Sequence, residues 1–247
     1  MIDTHAHIIK EYYDDIESLV EDLKNKNVLK VVNCGTSISD SKEIIELSKK
    51  TNNFLLPAIG IHPEIVDDFN KIEELEKLVK FNKIAAIGEI GLDYYWNKEN
   101  KEEQKKCFNL QLDLAEKYNL PVLVHTRESI QDTYDILKTR KLKGIIHCYS
   151  GSYEMAKEFI KLGYKLGIGG VLTFKNSKLY EVIEKIDLKD ILLETDSPYL
   201  SPEPHRGKQN NPYNIYYVAQ KIAQIKNVSI EEVISQTTSN YDDVFDI

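Results

Sequence analysis

Short runs of β-branched and apolar residues alternate along this chain with longer stretches whose apolar positions recur at three and four, and the alternation continues to its end. The pattern predicts strands at residues 2–7 (IDTHAH), 29–34 (LKVVNC), 54–60 (FLLPAIG), 84–89 (IAAIGE), 121–126 (PVLVHT), 144–148 (GIIHC), 164–169 (YKLGIG) and 190–195 (DILLET). Between them lie amphipathic segments such as 71–82 (KIEELEKLVKFN) and 103–118 (EQKKCFNLQLDLAEKY), each spaced as a helix that packs one face on a sheet. Each strand is thus followed by a helix. Strict alternation implies right-handed crossovers and a parallel sheet, and eight such units close into a (β/α)₈ TIM barrel. A doubly wound open sheet is the alternative.

A length of 247 residues suits one such barrel, so residues 1–247 are expected to form a single domain. There is no Pro/Gly/Ser-rich linker, low-complexity tract or repeat of fixed period beyond the strand–helix alternation. The loop-rich stretch 196–214 holds four of the seven prolines and follows the eighth strand, so it is expected to lie across the mouth where barrel active sites form. The stretch MIDTHAHI has no basic segment leading an apolar one, and no run approaches the roughly 18 apolar residues of a membrane span. With three cysteines that make no close-spaced pair, a cytoplasmic location without membrane partners is expected, and Cys148 reads as a structural thiol. A net charge of −8 argues against a broad basic face for nucleic acid. An acidic substrate would have to be met locally, by metal ions and a few cations.

The chemistry lies at the strand ends. His5 and His7, two apart on the first strand, point to one face. Glu89 ends the fourth predicted strand, His125 lies at the end of the fifth and His147 of the sixth, and Asp196 follows the eighth. Residues at these positions of a barrel converge on one rim and read as catalytic. Four imidazoles and two carboxylates exceed what one tetrahedral ion with an open position needs, but suit two divalent ions (zinc, manganese or magnesium) bridged by a carboxylate. The assignment is His5, His7 and Asp196 to one ion, His125 and His147 to the other, and Glu89 between them. Asp196 is also expected to take the proton of the attacking water.

These residues lie in DTHAH (3–7), GIHPE (60–64), IGEIGLDYY (87–95), QKKCFNLQLDLA (104–115), LPVLVHTR (120–127), IHCYSG (146–151), GIGGVLTFKN (167–176) and LLETDSPYLSP (192–202). In this order they resemble the TatD family of metal-dependent deoxyribonucleases, within the amidohydrolase-like superfamily. The resemblance implies hydrolysis of phosphodiester bonds in DNA, often from the 3′ end, and places the family's metal ligands on His5, His7, Glu89, His125, His147 and Asp196. Two positions depart from the family's pattern: Gln209, where a charge is common, and Asp243, where a basic residue is usual.

On the substrate side, His62 beside Pro63 reads as a phosphate contact or a loop cap. Arg127 and Arg206 are forked donors for phosphate or surface ion pairs. Lys175 reads as a phosphate contact or a solvated lysine, Trp96 as a base-stacking or lid residue, and Tyr94 as packing. The glycines 167, 169 and 170 read as a tight barrel-end turn, and the charged stretch 98–106 as solvated surface. The expected partner is DNA, single-stranded or at frayed 3′ ends, with no obligate protein partner implied. The alternative is hydrolysis of a carbonyl ester or amide, such as D-aminoacyl-tRNA or a small molecule, by the same activated hydroxide.

Overall fold

The computed structural model describes residues 1–245. Eight parallel strands pair in chain order: β1 (Ile2–Ala6), β2 (Lys30–Cys34), β3 (Leu55–Ile59), β4 (Ala86–Asp93), β5 (Val122–Arg127), β6 (Gly144–Ile146), β7 (Tyr164–Ile168) and β8 (Ile191–Leu193). The ring closes where β1 meets the segment after β8. His7 N donates to Ser197 O at 2.6 Å, Asp196 N donates to His5 O at 2.9 Å, and the Thr4 hydroxyl donates to Leu193 O at 3.0 Å. The fold is therefore a TIM barrel, as the alternation predicts, and not an open sheet. Among the described residues, no helix is long and apolar enough to cross a membrane.

Two ligand-bearing strands break simple alternation. On β4, Ile87, Ile90 and Leu92 all join the cluster containing Phe108 and Leu112 of α4 (Lys101–Tyr118), although Ile87 and Ile90 are three apart. An extra residue is required, and the register confirms it: Ile87 pairs with Val122, but Ile90 with Val124. On β1, Ile2 joins one cluster and Ala6, four residues on, another, and there too the register slips, from Asp3↔Val31 to Ala6↔Asn33. The bulges fall between Asp3 and Ala6 and between Ile87 and Ile90, the stretches that carry His5 and Glu89.

The structure corrects the expected elements where they bear on the site and on the closing of the barrel. β4 runs on to Asp93, so Glu89 sits inside the strand and not at its end. β6 stops at Ile146, leaving His147 just beyond it. The last strand is followed by two helices, α8 (Ile215–Lys226) and α9 (Ile230–Val244). Within 98–106, Gln104 is buried and not solvated, because its side chain bonds both backbone groups of Asp93, at 2.8 and 2.9 Å.

α9 starts at Ser229, whose hydroxyl accepts from Glu232 N. It places Tyr241 and Val244, with Phe245 beyond, against Ile2, Leu56, Leu123 and Leu192, so the N-terminal end of the barrel interior is filled by apolar side chains. The opposite end carries the polar residues. Loop 196–214 is held against it by Asn210, whose amide donates to Thr195 O and Tyr199 O at 2.8 and 2.7 Å.

Candidate metal centre

Seven ligand-type side chains meet inside the C-terminal end of the barrel. The two oxygens of Glu89 divide them. Oε2 lies 3.3 Å from His5 Nε2 and 3.4 Å from His7 Nε2, whereas Oε1 lies 2.8 Å from His125 Nδ1, 3.6 Å from His62 Nε2 and 3.9 Å from His147 Nε2. Asp196 Oδ1 is 3.4 Å from Nε2 of both His7 and His147, and 3.8 Å from that of His5. Ligand atoms of His5, His7 and Asp196 all lie within 4.8 Å of one another, as do those of His62, Glu89 and His125, and those of His5, Glu89 and His147. A carboxylate facing two such groups is what a bridging ligand requires.

The six predicted ligands are brought together, with one change of neighbour. His147 stacks on His5, with ring centroids 3.5 Å apart, and stands 6.5 Å from His125. His62, expected at the substrate, lies beside His125, with 4.5 Å between their ring centroids, and its ligand atom falls within the group with Glu89 and His125.

The donor set fits cations. Five nitrogen heterocycles and two carboxylates suit borderline divalent ions. His5 Nε2 and His7 Nε2 face each other at 3.3 Å, an approach that two N–H groups would oppose and a shared cation relieves. His5 Nδ1 is buried with no partner among the described residues. Without a cation, charge is balanced by protons. Burial opposes charge on both carboxylates, but the surrounding histidines hold Glu89 and Asp196 below the usual carboxylate range. In return Asp93 and Glu89 push the His125 imidazole up to about 9 against its burial, and Glu194, Asp196 and Glu89 raise His147. His5, the most shut in, is lowered by burial and by His147.

A further layer orients these rings. Cys34 O lies 2.9 Å from His7 Nδ1, Asp93 Oδ2 3.0 Å from His125 Nε2, and Glu194 Oε1 3.1 Å from His147 Nδ1. For His7 and His125 these contacts are hydrogen bonds, and such backing selects the tautomer that presents the other nitrogen; Glu194 stands against His147 as an ion-pair contact. Glu194 also accepts from Cys148 N at 2.6 Å, and Gly167 makes room for it, since a Cβ there would lie 2.1 Å from Oε2. Asp3 accepts from the amides of His5 and Thr195, tying the first histidine strand to the residue before Asp196. The sequence reading missed Asp3, Asp93 and Glu194 as parts of the site. Each stands two or four residues from a predicted ligand on the same strand or its end, which was the available signal. Burial pushes the Cys148 thiol up to about 12, so it stays protonated and agrees with a structural reading.

The centre opens into a cleft of about 630 Å³. His62, Arg127 and Trp96 line it together with Tyr12 and Tyr199. Trp96 is 64% exposed and the Arg127 guanidinium lies 3.9 Å from the Tyr95 ring centre. Tyr94 is buried, as expected of packing. Arg206 and Lys175 are not among the lining residues; the Arg206 guanidinium lies 3.8 Å over Phe174, and its Nη1 donates to Ser201 O at 3.3 Å. Glycines 169 and 170 precede and open a short 3₁₀ turn, as expected, with Gly170 packed against Leu200 O.

Comparison with known proteins gives a consistent result. A family model described as TatD related DNase matches residues 2–246. An uncharacterized metal-dependent hydrolase of Bacillus subtilis is 40% identical over all of this chain and 99% of its own length. One from Methanocaldococcus jannaschii is 38% identical over 94% of this chain and 91% of its own length. The crystal structure of YjjV, a TatD homolog from Escherichia coli, superposes with a TM-score of 0.91 at 27% identity, covering 100% of this chain and 98% of that one.

Proposed function

The chain belongs to the family of TatD-related DNases and is a metal-dependent hydrolase; from that premise we propose that it cleaves phosphodiester bonds in DNA, from the 3′ end of single-stranded or frayed substrates, with two divalent cations. The observation that carries the reading is the division of Glu89, with Oε2 toward His5 and His7 and Oε1 toward His125 and His62. His5, His7 and Asp196 would hold one cation and His125 the other, with Glu89 shared and His147 between, 3.9 Å from Glu89 Oε1 and 3.4 Å from Asp196 Oδ1. Zinc, manganese or magnesium there would supply hydroxide at neutral pH and offset charge on the transferring oxygens.

The protein's own groups do the rest. Asp196 lines the cleft and is ionised at neutral pH, so its carboxylate accepts the proton of the attacking water. Arg127 offers its guanidinium to a phosphate, braced on Tyr95, and Trp96 offers a face to an unpaired base. A cleft of about 630 Å³ has the size of a small-ligand site, which favours a strand end over an intact duplex.

One observation favours a second reading. Asp40 and Glu64 also line the cleft, and acidic residues there suit a reacting group that carries no phosphate, such as the carbonyl ester at the end of an aminoacyl-tRNA or the ester or amide of a small molecule. The test is end-labelled single-stranded DNA incubated with metal-reconstituted protein beside a Glu89→Ala control. Shortening of the labelled strand by wild type alone, abolished by chelation, is the expected result. Equal behaviour of the two proteins would overturn the nuclease reading.

A further inference from the structure

Asp93 occupies a position that neither the ligand set nor the substrate rim accounts for. It closes β4, is 1% exposed, and uses its two carboxylate oxygens in opposite directions. Oδ2 lies 3.0 Å from Nε2 of His125, whose Nδ1 meets Glu89. Oδ1 accepts from the backbone amides of Tyr95 and Trp96, at 2.9 and 3.1 Å. Its own backbone does not move freely, because Gln104 from α4 bonds both its N–H and its carbonyl. The carboxylate is planar and rigid, so a displacement at Oδ2 turns Oδ1 with it, and the anchored backbone leaves rotation of the side chain as the available adjustment.

We propose that Asp93 is a positioning residue that makes the metal histidine His125 and the Tyr95–Trp96 rim one mechanical unit, so that filling the centre with a divalent cation sets the rim that receives substrate. In the cation-free protein His125 is shared between Glu89 and Asp93. A cation at Nδ1 would come between the ring and the Glu89 oxygen now 2.8 Å away, and the 3.0 Å contact of Nε2 with Oδ2 would carry any resetting of the ring to Asp93. That reorientation reaches the turn at 95–96 and with it Arg127, whose guanidinium rests on Tyr95 and lies 5.4 Å from the Trp96 ring centre. The inference rests on the metal-centre part of the proposed function and not on DNA as the substrate.

Trp96 is the chain's single tryptophan, so its fluorescence reports the rim without labelling. Zinc titrated into cation-free wild-type protein should shift Trp96 emission and its quenching by acrylamide, in step with zinc bound by equilibrium dialysis. Asp93→Asn keeps an oxygen for the two amides but loses the acceptor for the imidazole. It should fold with the wild-type cation-free Trp96 spectrum, bind zinc about 10–100-fold more weakly, and show no emission change once zinc is bound. Asp93→Ala should alter the cation-free spectrum as well. A purely structural Asp93 would lower melting temperature in Asp93→Asn and leave zinc affinity and the emission shift as in wild type, which would overturn the proposal. Failure of wild type to bind zinc, manganese or magnesium would instead overturn the metal-centre reading on which it stands.

Discussion

The two ends of the barrel interior are built from the same eight strands and follow opposite rules. At the N-terminal end Ile2, Val32, Leu56, Leu123 and Leu192 fill the space against α9, and stability comes from burial of apolar surface. At the C-terminal end five imidazoles and two carboxylates crowd the same kind of space, with charges balanced by one another and by Asp93 and Glu194 behind them. Burying such groups costs stability unless each is paired, and here Nδ1 of His5 and Nδ1 of His147 are left without a hydrogen-bond partner among the described residues. The contrast shows that the lower half carries the fold and the upper half is held in place by it for chemistry.

That division is open to direct attack. The largest effect is expected at Asp196→Asn, which removes the proton acceptor from the cleft while keeping its shape. kcat should fall roughly 10²–10⁴-fold at saturating cation, read by steady-state kinetics on protein whose loading is checked by elemental analysis. The matching change below, Leu123→Ala, should cost about 2–5 kcal/mol of stability by denaturant unfolding and leave kcat at saturating cation unchanged. If the two variants traded phenotypes, the two ends would not be independent.

A pH effect separates the ends further. The His125 pKa is raised to about 9, so its stabilising contribution is full below the unfolded value near 6.5 and is lost as pH rises through about 9. Cation-free protein should therefore lose on the order of 3 kcal/mol between those limits, and cation-loaded protein should not. Melting curves at pH 6 and pH 9.5, with and without cation, check this. The smallest effect is expected at the rim, where Arg127→Ala should raise KM by about tenfold on a phosphodiester substrate with kcat little changed.

Most of this organisation was legible in the chain. The eight strands came through because each is a short β-branched run bounded by amphipathic helices, and His5, His7, His125, His147 and Asp196 came through because polar groups at strand ends of a barrel need partners. Glu89 was found for a partly mistaken reason. It lies mid-strand and faces inward through a bulge, an extra residue that period-two reading does not reveal. Arg206 and Lys175 could not be placed, since whether a loop cation reaches a cleft depends on loop path; Arg206 rests on Phe174 and bonds Ser201 O. Asp93 and Glu194 were hidden for another reason: their value lies in standing against a histidine from another strand, the next one for Asp93 and the next but one for Glu194, a relation across the sheet that one strand's sequence does not carry.

The account stands most directly on calorimetric titration of cation-free protein with zinc at pH 7, in two buffers of different ionisation enthalpy. It predicts two equivalents per chain and net proton release, because His125 and His147 carry protons that the cations displace. A single equivalent, or binding without proton release, would contradict a shared two-cation centre on Glu89.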